Sequence, residues 1–233
     1  MTKEKPDLTV AILAAGLSPG MRSFGNKSLL DLGGETILER LIWQFRQRWP
    51  FARVLVVSSH QHAKTRRKSG GADVVENPDF EACNVAQSFR LALEHSDGPV
   101  LVVYGDLVFF RGAVAELPVP SRSALYGEAG YLRRQEVGLS VGEDGLVGRL
   151  SYALPVRWAQ MTLLHAREKS LFLRAMRSAG AANFLGHEVL NLVMDAGGEF
   201  RYQPIPGFVM EVDNSRDLAA VRRAVELEAS ECV

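Results

Sequence analysis

The sequence predicts an α/β fold with a mixed, predominantly parallel sheet, and three observations support that prediction. Continuous apolar runs rich in Val, Ile and Leu recur along the first half of the chain, as buried parallel strands require. Segments with apolar residues at helical spacing separate these runs. The 233 residues are 47% hydrophobic and 23% charged, a composition that fills one sizeable core without disulfides or metals. We therefore expect a single domain over residues 1–233, with a core over residues 8–228.

The first half of the chain alternates strands with helices. Leu8–Leu13, Val54–Val57 and Val100–Tyr104 are short apolar runs that predict buried strands. Between them, Thr36–Arg48 and Val85–Leu93 each place their apolar side chains on one helical face. The order of strand, helix and strand is typical of βαβ units with parallel strands.

The second half predicts more strands, with the turn Glu143-Asp144-Gly145 between two of them, and three more helices. The predicted strands are Ser123–Tyr126, Val137–Val141, Ala159–Leu164, Phe200–Pro204 and Phe208–Val212. The predicted helices are Arg167–Ser178, Leu185–Asp195 and a last helix that begins at Ser215 and ends near Glu228. Because no internal repeat and no long linker interrupts this order, the second half is expected to extend the same sheet.

The charge balance argues against nucleic acid as a partner. Lys+Arg and Asp+Glu both number 27, so the chain as a whole does not attract a polyanion. The basic run Lys64–Lys68 is expected to be an exposed helix face. Cys83 and Cys232 lack metal-ligand spacing, and no apolar run reaches the roughly 18 residues of a membrane span. The sequence thus predicts a soluble, cytoplasmic protein that binds neither nucleic acid nor a membrane.

Two charged segments follow predicted strands. The glycine-rich loop after Leu13 carries Arg22 and Lys27, and Gly105-Asp106 follows another strand. Ligands of open α/β sheets bind beyond the carboxyl ends of the strands, so neighbouring strands would bring these groups to one crevice. Cations on such a loop suit phosphate oxygens, whereas a carboxylate beside a phosphate requires a divalent cation such as Mg²⁺ between them. The combination predicts a metal-bound nucleotide, although each residue taken alone is equally explained as a solvated or capping side chain.

A P-loop is an alternative for the same stretch. Gly20–Ser28 differs from the pattern G-x-x-x-x-G-K-[ST] by one inserted residue, Asn26. The lysine of a P-loop opens a helix, but Lys27 is followed by SLLDLGG, which favours an extended segment. The context therefore argues against a P-loop kinase or NTPase.

Four motifs resemble those of nucleotidyltransferases that activate sugar phosphates and phospho-alcohols, a group that includes the MobA-like superfamily. AILAAGLSPGMRSFGNKSLLDLGGETILERLI resembles their amino-terminal signature L-A-A-G-x-G-x-R followed by P-K-x-L. VVYGDLVF resembles their central G-D strand end, and GFVMEVDNSRDLAAVRRA resembles their carboxy-terminal segment. ENPDFEACNVAQSFRLAL is similar to a stretch of phosphocholine cytidylyltransferase-like members. The motifs occur in the family's order and cover nearly the whole chain.

The loop departs from the family pattern at two places. The segment between Gly16 and Arg22 is one residue longer than usual, and Asn26 stands where proline commonly precedes the lysine. Ala15 replaces the second glycine of transferases that act on molybdopterin, which argues against that branch.

The resemblance implies a Rossmann-like (GT-A-like) three-layer α/β/α fold and transfer of an NMP to a phosphorylated acceptor with release of pyrophosphate. Arg22 and Lys27 are the implied catalytic residues, with Arg22 on the β/γ phosphates and Lys27 on the α-phosphate. Asp106 and Asp213 are the implied Mg²⁺ ligands. The implied nucleotide-binding residues are Leu13, Ala14, Ala15, Gly16, Asn84, Ser88 and Gly105.

The base and the acceptor are predicted less sharply. Asn84 and Ser88 lie four residues apart near a helix start. In the cytidylyltransferases that the chain resembles this region lies close to the nucleotide, so the resemblance favours CTP, with an N-cap role for Asn84 as an equal alternative. The expected acceptor is a phospho-alcohol, a phosphonate or a sugar phosphate. Aromatic candidates for holding a quaternary amine are Tyr126, Tyr131, Tyr152, Trp158, Phe172 and Phe184. Cationic candidates for holding an acceptor phosphate are Arg133, Arg134, Arg149 and Lys169.

Two further expectations come from the resemblance. The family often forms dimers, so the resemblance allows a homodimer, although the sequence itself does not determine the oligomeric state. The alternative to an enzyme is a regulatory domain that binds a nucleotide without turnover.

Overall fold

A computed structural model describes residues 8–16, 25–59, 61–110, 112–130 and 136–230. Within these ranges the secondary structure alternates in the predicted way. The strands are β1 Thr9–Leu13, β2 Arg53–Ser58, β3 Asp73–Glu76, β4 Val100–Tyr104, β5 Leu107–Phe110, β6 Ala124–Ala129, β7 Val137–Val141, β8 Val147–Tyr152, β9 Val156–Leu164, β10 Arg201–Pro204 and β11 Phe208–Glu211. The helices are α1 Ile37–Arg48, α2 His62–Lys68, α3 Val85–Glu94, α4 Ala166–Ala175, α5 Gly186–Asp195 and α6 Ser215–Ser230.

The main sheet is mixed, and β10 is parallel to its neighbour β6. Its strand order is β10-β6-β9-β4-β1-β2-β3, and β7 and β8 extend it beside β9. Strands β3, β2, β1 and β4 run parallel, whereas β9 is antiparallel to both β4 and β6. Strand β11 pairs with β5 in a separate two-stranded antiparallel sheet. The predicted α/β class with a predominantly parallel sheet is confirmed.

The two faces of the sheet bury separate apolar clusters, so the helices lie in layers on both sides. Val10 and Ile12 of β1 pack with α1 residues on one face, and Ala11 and Leu13 pack with α3 and α5 residues on the other. This alternation follows from the two-residue period of a strand. It confirms the three-layer arrangement, in which the carboxyl ends of the parallel strands lie at one edge of the sheet.

Local sequence signals explain where α1 begins. Thr36 caps the helix by accepting a bond from the Glu39 backbone N–H, and the Glu39 side chain accepts from the Thr36 N–H. This reciprocal pair satisfies donors that a helix end otherwise leaves free. The predicted element Thr36–Arg48 is therefore correct to one residue, since Thr36 is the cap.

Several elements differ from the prediction in extent. The short polar strand β3 and the strands β5 and β8 were not predicted, because their apolar patterns are brief or run on from a neighbouring strand. Strand β9 begins at Val156 rather than Ala159. The basic run Lys64–Lys68 lies in helix α2, as expected. In the part of the chain that the structure describes, none of the helices combines the length and the apolar character needed to span a bilayer.

Candidate active site

A cavity of about 550 Å³ opens at the carboxyl ends of β1 and β4. Strands β1 and β4 are direct neighbours, with Leu13 paired to Tyr104, so the loops that follow them share one edge of the sheet. Ten of the predicted site residues line this cavity: Leu13, Ala14, Ala15, Gly16, Lys27, Asn84, Ser88, Gly105, Asp106 and Asp213. Arg22 lies outside the described residues.

One wall of the cavity is made of main chain, and we call Leu13–Gly16 together with Gly105 the loop side. The Ala14 N–H donates to the carbonyl of Val57 (2.8 Å), and the Gly105 N–H donates to the carbonyl of Leu13 (3.0 Å). A Cβ at Gly105 would lie 2.7 Å from the Leu13 carbonyl oxygen. Glycine is therefore required there, because only its absent side chain lets the two strand ends close together.

Asn26 holds the lysine-bearing turn against the loop side. Its Nδ2 donates to the carbonyl of Ala14 (2.6 Å), and its Oδ1 accepts from the Ser28 N–H (3.0 Å) and the Ser28 hydroxyl (2.9 Å). Asn26 is 1% exposed and caps the 3₁₀ helix Lys27–Leu29. The asparagine that replaces the family's proline thus fixes the main chain of Lys27 beside the β1 loop.

Lys27 reaches two carboxylates from distant parts of the chain. Its Nζ lies 3.0 Å from Asp106 Oδ2 and 2.6 Å from Asp213 Oδ1. Burial acts to lower the pKa of Lys27, but the charges and hydrogen bonds of Asp106 and Asp213 outweigh it, so the pKa lies above its ordinary value. Lys27 is therefore a protonated cation in contact with both acids.

The structure adds a third carboxylate, Glu211, that the sequence motifs alone did not identify. One oxygen each of Asp106, Glu211 and Asp213 lie within 4.8 Å of one another. Glu211 ends β11, and the Val212 N–H donates to the Asp106 carbonyl (3.0 Å), which joins the two segments. Glu211 is in the quoted motif GFVMEVDNSRD, two residues before Asp213. That spacing on one face of an extended segment was the signal that could have found it.

Glu211 lies in an unusual electrostatic environment. Burial, together with the negative charges of Asp106 and Asp213, raises the pKa of Glu211 to about 8. Gln160 Nε2 donates to Glu211 Oε2 (2.6 Å). Gln160 adopts a left-handed backbone conformation (φ 53°) at a point where the pairing of β6 with β9 shifts register. This strained bulge turns the Gln160 side chain towards Asp106, Glu211 and Asp213, which we call the acidic group.

A buried polar cluster lines the cavity near the start of α3. Asn77 Nδ2 donates to Ser88 Oγ (3.0 Å), and Asn77 Oδ1 accepts from the Asp79 N–H (3.1 Å). Asn77 and Ser88 are 1% and 4% exposed. Asn84 Oδ1 accepts from the Val85 N–H (2.8 Å), which matches the capping alternative. Asn77 was not predicted, although it is the first asparagine of the quoted motif ENPDFEACNVAQSF.

Aromatic side chains form another part of the cavity lining, and we call Tyr104, Tyr152, Trp158 and His187 the aromatic side. Tyr104 and Trp158 meet edge to face with ring centroids 5.6 Å apart, and Tyr152 and His187 do the same at 5.6 Å. A Cβ at Gly186 would overlap the Tyr104 hydroxyl. Of the other aromatic candidates, Tyr126 and Phe172 are core residues, Phe184 packs against the core, and Tyr131 lies outside the described residues.

Arg157, the arginine beside the aromatic side, already forms an ion pair within the protein. Arg157 lines the cavity, but its guanidinium contacts the Glu128 carboxylate and donates to the Val209 carbonyl (3.0 Å). Arg149 and Lys169 do not line the cavity, and the Lys169 Nζ donates instead to the carbonyl of Ser96 (2.6 Å). Arg133 and Arg134 lie outside the described residues. The two acceptor-phosphate candidates that can be located are therefore not part of this site.

Comparison with known proteins assigns the chain to a family. A family model described as a MobA-like NTP transferase domain matches residues 10–185. Part of the chain is 36% identical over 111 residues to the bifunctional protein GlmU of Chromobacterium violaceum, a match that covers 47% of this chain and 24% of that protein. A second GlmU, from Solibacter usitatus, is 36% identical over 107 residues, or 45% of this chain and 23% of that protein. The chain thus spans about a quarter of the length of these relatives.

Solved structures share the fold over nearly the whole chain. The CTP:phosphocholine cytidylyltransferase LicC of Streptococcus pneumoniae superposes with a TM-score of 0.78 at 17% identity, covering 94% of this chain and 99% of that one. The inositol-1-phosphate CTP transferase of T. maritima gives 0.76 at 16% identity, covering 96% and 97%. At these identities the likeness establishes the fold.

Proposed function

Because the chain belongs to the MobA-like NTP transferase family, we propose that it is an enzyme that transfers CMP from CTP to a small phosphorylated acceptor and releases pyrophosphate. One observation carries this proposal more than any other. Lys27, Asp106 and Asp213 come from three distant segments and meet within hydrogen-bond distance at the cavity edge. A cation and paired carboxylates beside a main-chain wall are the groups that a nucleoside triphosphate requires.

The acidic group fits Mg²⁺. Asp106, Glu211 and Asp213 offer hard carboxylate oxygens close together, and magnesium prefers such ligands with substrate phosphates completing its shell. When bound, Mg²⁺ supplies positive charge that offsets the charge of the phosphate oxygens.

The remaining steps belong to the chain and its substrates. The loop side packs against the base and ribose, since its small residues allow close approach. An oxygen of the acceptor phosphate attacks the α-phosphorus, a new P–O bond forms, and the bond to the β-phosphate oxygen breaks as pyrophosphate leaves. Lys27 stabilises the charge of the α-phosphate during this attack. The acceptor oxygen is already anionic at neutral pH, so no general base is needed, and catalysis consists of alignment and electrostatic stabilisation.

The polar cluster supports CTP over UTP. The Ser88 hydroxyl accepts a bond from Asn77, which leaves its own proton to donate to a ligand in the cavity. N3 of cytosine accepts a hydrogen bond, whereas N3 of uracil carries a proton and repels a donor. A buried donor at Ser88 therefore favours a cytosine edge.

The aromatic side supports a phospho-alcohol with a cationic head group as the acceptor. Aromatic faces attract ammonium groups, and the Glu136 carboxylate lines the same cavity. Arg157 is neutralised by Glu128. These features favour a phosphorylated amino-alcohol, such as phosphocholine, over a sugar phosphate.

The test is a pyrophosphate-release assay. Each NTP is supplied with Mg²⁺ and with phosphocholine, an aminoalkyl phosphonate or a sugar phosphate. We expect release with CTP and the amine-bearing acceptors. Asp106→Asn should lower the rate by about a hundred-fold or more, while Asp73→Asn, at an exposed ion pair with Arg53, is the matched control that should not. Binding of CTP without pyrophosphate release under any condition would favour the regulatory domain instead. Release with sugar phosphates alone would overturn the acceptor assignment.

A further inference from the structure

The acidic group already contains a cation that belongs to the protein. Lys27 Nζ bridges Asp106 and Asp213, two of the three carboxylates that the proposed function assigns to a divalent cation. We infer that Lys27 holds the place of this cation in the nucleotide-free protein and leaves it when nucleotide and cation bind together. The inference rests on the proposed function, because the nucleotide phosphates are the partners to which Lys27 moves.

Lys27 and a divalent cation compete for the same oxygens. The ammonium contacts Asp106 Oδ2 and Asp213 Oδ1 directly, and the Lys27 and Asp106 side chains are only 11% and 17% exposed. Two cations held on these oxygens would lie within a few ångströms in a partly buried site, where their repulsion is weakly screened. Binding of one therefore requires departure of the other.

The lysine offsets negative charge among the three carboxylates. One oxygen each of Asp106, Glu211 and Asp213 lie within 4.8 Å of one another. The Lys27 ammonium offsets part of this charge, and the amide of Gln160 donates to Glu211 (2.6 Å). The lysine therefore stabilises the folded protein before any ligand arrives.

Only the lysine side chain has to move. The Asn26 side chain binds the Ala14 carbonyl and the Ser28 N–H, which fixes the main chain on either side of Lys27. The four-carbon side chain can still rotate within the cavity, which Asn26, Lys27, Ser28 and Gly16 all line. Rotation away from Asp106 and Asp213 would let the ammonium reach the α-phosphate, the group that the proposed function assigns to Lys27.

The exchange couples the two ligands. A divalent cation alone must displace Lys27 with no new partner for the ammonium, so it binds weakly. When phosphates are present, the displaced ammonium gains an anionic partner, and each ligand strengthens the binding of the other.

Metal binding without nucleotide tests the exchange. Mn²⁺ is titrated into the full-length protein and the free ion is measured by electron paramagnetic resonance. We expect Lys27→Met to bind Mn²⁺ about ten-fold more tightly than the wild type. Lys68→Met removes a lysine that is ion-paired with Glu39, 2.9 Å away and remote from the cavity, and is the matched control that should leave the affinity unchanged. Equal affinity of Lys27→Met and wild type would overturn the inference.

A second measurement uses only the wild type, so it does not depend on the folding of a variant. In ¹⁵N NMR spectra of the lysine ammonium groups, saturating Mg²⁺ with a non-hydrolysable CTP analogue should shift the Lys27 signal and leave that of Lys68 in place. A Lys27 signal unchanged by saturating Mg²⁺ together with the CTP analogue would contradict the exchange.

The pyrophosphate assay on the same preparations separates the two proposals. Release of pyrophosphate together with equal Mn²⁺ affinities would leave the proposed function intact and reject the exchange. Tighter Mn²⁺ binding by Lys27→Met without any pyrophosphate release would support the exchange and reject the function.

Discussion

The two walls of the cavity are built by different means. The loop side is main chain held by the hydrogen bonds of parallel neighbours, with Gly105 N–H bonded to Leu13 and Ala14 N–H bonded to Val57. The aromatic side consists of side chains from β4, β8, β9 and α5, arranged as two edge-to-face ring pairs. A wall made of main chain suits a part of the ligand that all substrates of a family have in common, because main-chain groups are the same in every sequence. A wall made of side chains can change from one protein to the next by single substitutions. The comparison suggests that selectivity for the acceptor lies on the aromatic side.

Among the substitutions that test the difference between the loop side and the aromatic side, Gly105→Ala on the loop side is expected to have the largest effect. The new Cβ would lie 2.7 Å from the Leu13 carbonyl oxygen and 3.2 Å from the Ala14 Cα, and main-chain atoms cannot move without opening the β1 and β4 pairing. We expect a loss of about 1–3 kcal/mol in the free energy of unfolding, measured by urea denaturation, together with weaker nucleotide binding.

The control for Gly105→Ala is Gly148→Ala in β8. Its nearest contact would be the Ser140 hydroxyl at 3.2 Å, a side chain that can move. The change in stability should stay within about 0.5 kcal/mol. If Gly105→Ala were equally mild, the loop side would not be the rigid wall described above.

Asn26→Ala is expected to have the next largest effect. It removes the helix cap and leaves the Ala14 carbonyl without the Asn26 amide, at a position that is 1% exposed. The loss of a cap and of a buried hydrogen bond should lower the free energy of unfolding by about 1–2 kcal/mol. Because Lys27 then loses its fixed main chain, kcat should fall more than the KM for CTP rises.

A matched substitution distinguishes positioning from general destabilisation. Asn191 Oδ1 accepts from the Leu150 N–H (2.9 Å), and its Nδ2 donates to the Leu150 carbonyl (2.9 Å), in a similar side-chain bridge that does not line the cavity. Asn191→Ala should lower stability without the selective loss of kcat. Equal kcat effects from both variants would argue that Asn26 only stabilises the fold.

The loop side was predictable from sequence and the aromatic side was not, for physical reasons. Leu13–Gly16 and Gly105 follow continuous apolar strands, and the ends of parallel neighbours must meet at one edge of the sheet. Gln160 reaches the acidic group only because β9 bulges where it pairs with β6, and no local pattern marks that bulge. The aromatic candidates were chosen by residue type, so core residues such as Tyr126 were included with cavity residues such as Trp158.

The acidic group is an intermediate case. Asp106 was named from its position after a predicted strand and Asp213 through the family resemblance, and the structure brings both into contact with Lys27. Glu211 was missed because its position depends on the antiparallel pairing of β11 with β5, where Glu211 lies opposite Leu107. The two-residue spacing from Asp213 could have indicated Glu211, but its approach to Asp106 depends on pairing between segments about a hundred residues apart, which is set by tertiary packing.

Tyr152→Ala should affect the acceptor alone. Tyr152 is 52% exposed at the cavity rim, so its loss should change stability little. A cation–π contact at an exposed site contributes about 0.5–1 kcal/mol, so the KM for an amine-bearing acceptor should rise by roughly two- to five-fold. The KM for CTP should stay constant. Equal increases for both substrates in steady-state kinetics would contradict the division of the cavity into two sides.

The smallest expected effect is the pH dependence of stability that comes from His187 on the aromatic side. Burial lowers the pKa of His187 from its ordinary value, with Glu188 opposing the shift, so the folded protein takes up a proton less readily than the unfolded chain. The unfolded chain binds more protons as the pH falls below about 6.5, and stability from this residue is therefore lost on acidification. The Tm of the wild type should fall more steeply between pH 7.5 and 5.5 than that of His187→Gln. The other histidines are present in both proteins, so their titration cancels in this difference. Parallel curves of Tm against pH would mean that His187 is as well solvated in the folded protein as in the unfolded chain.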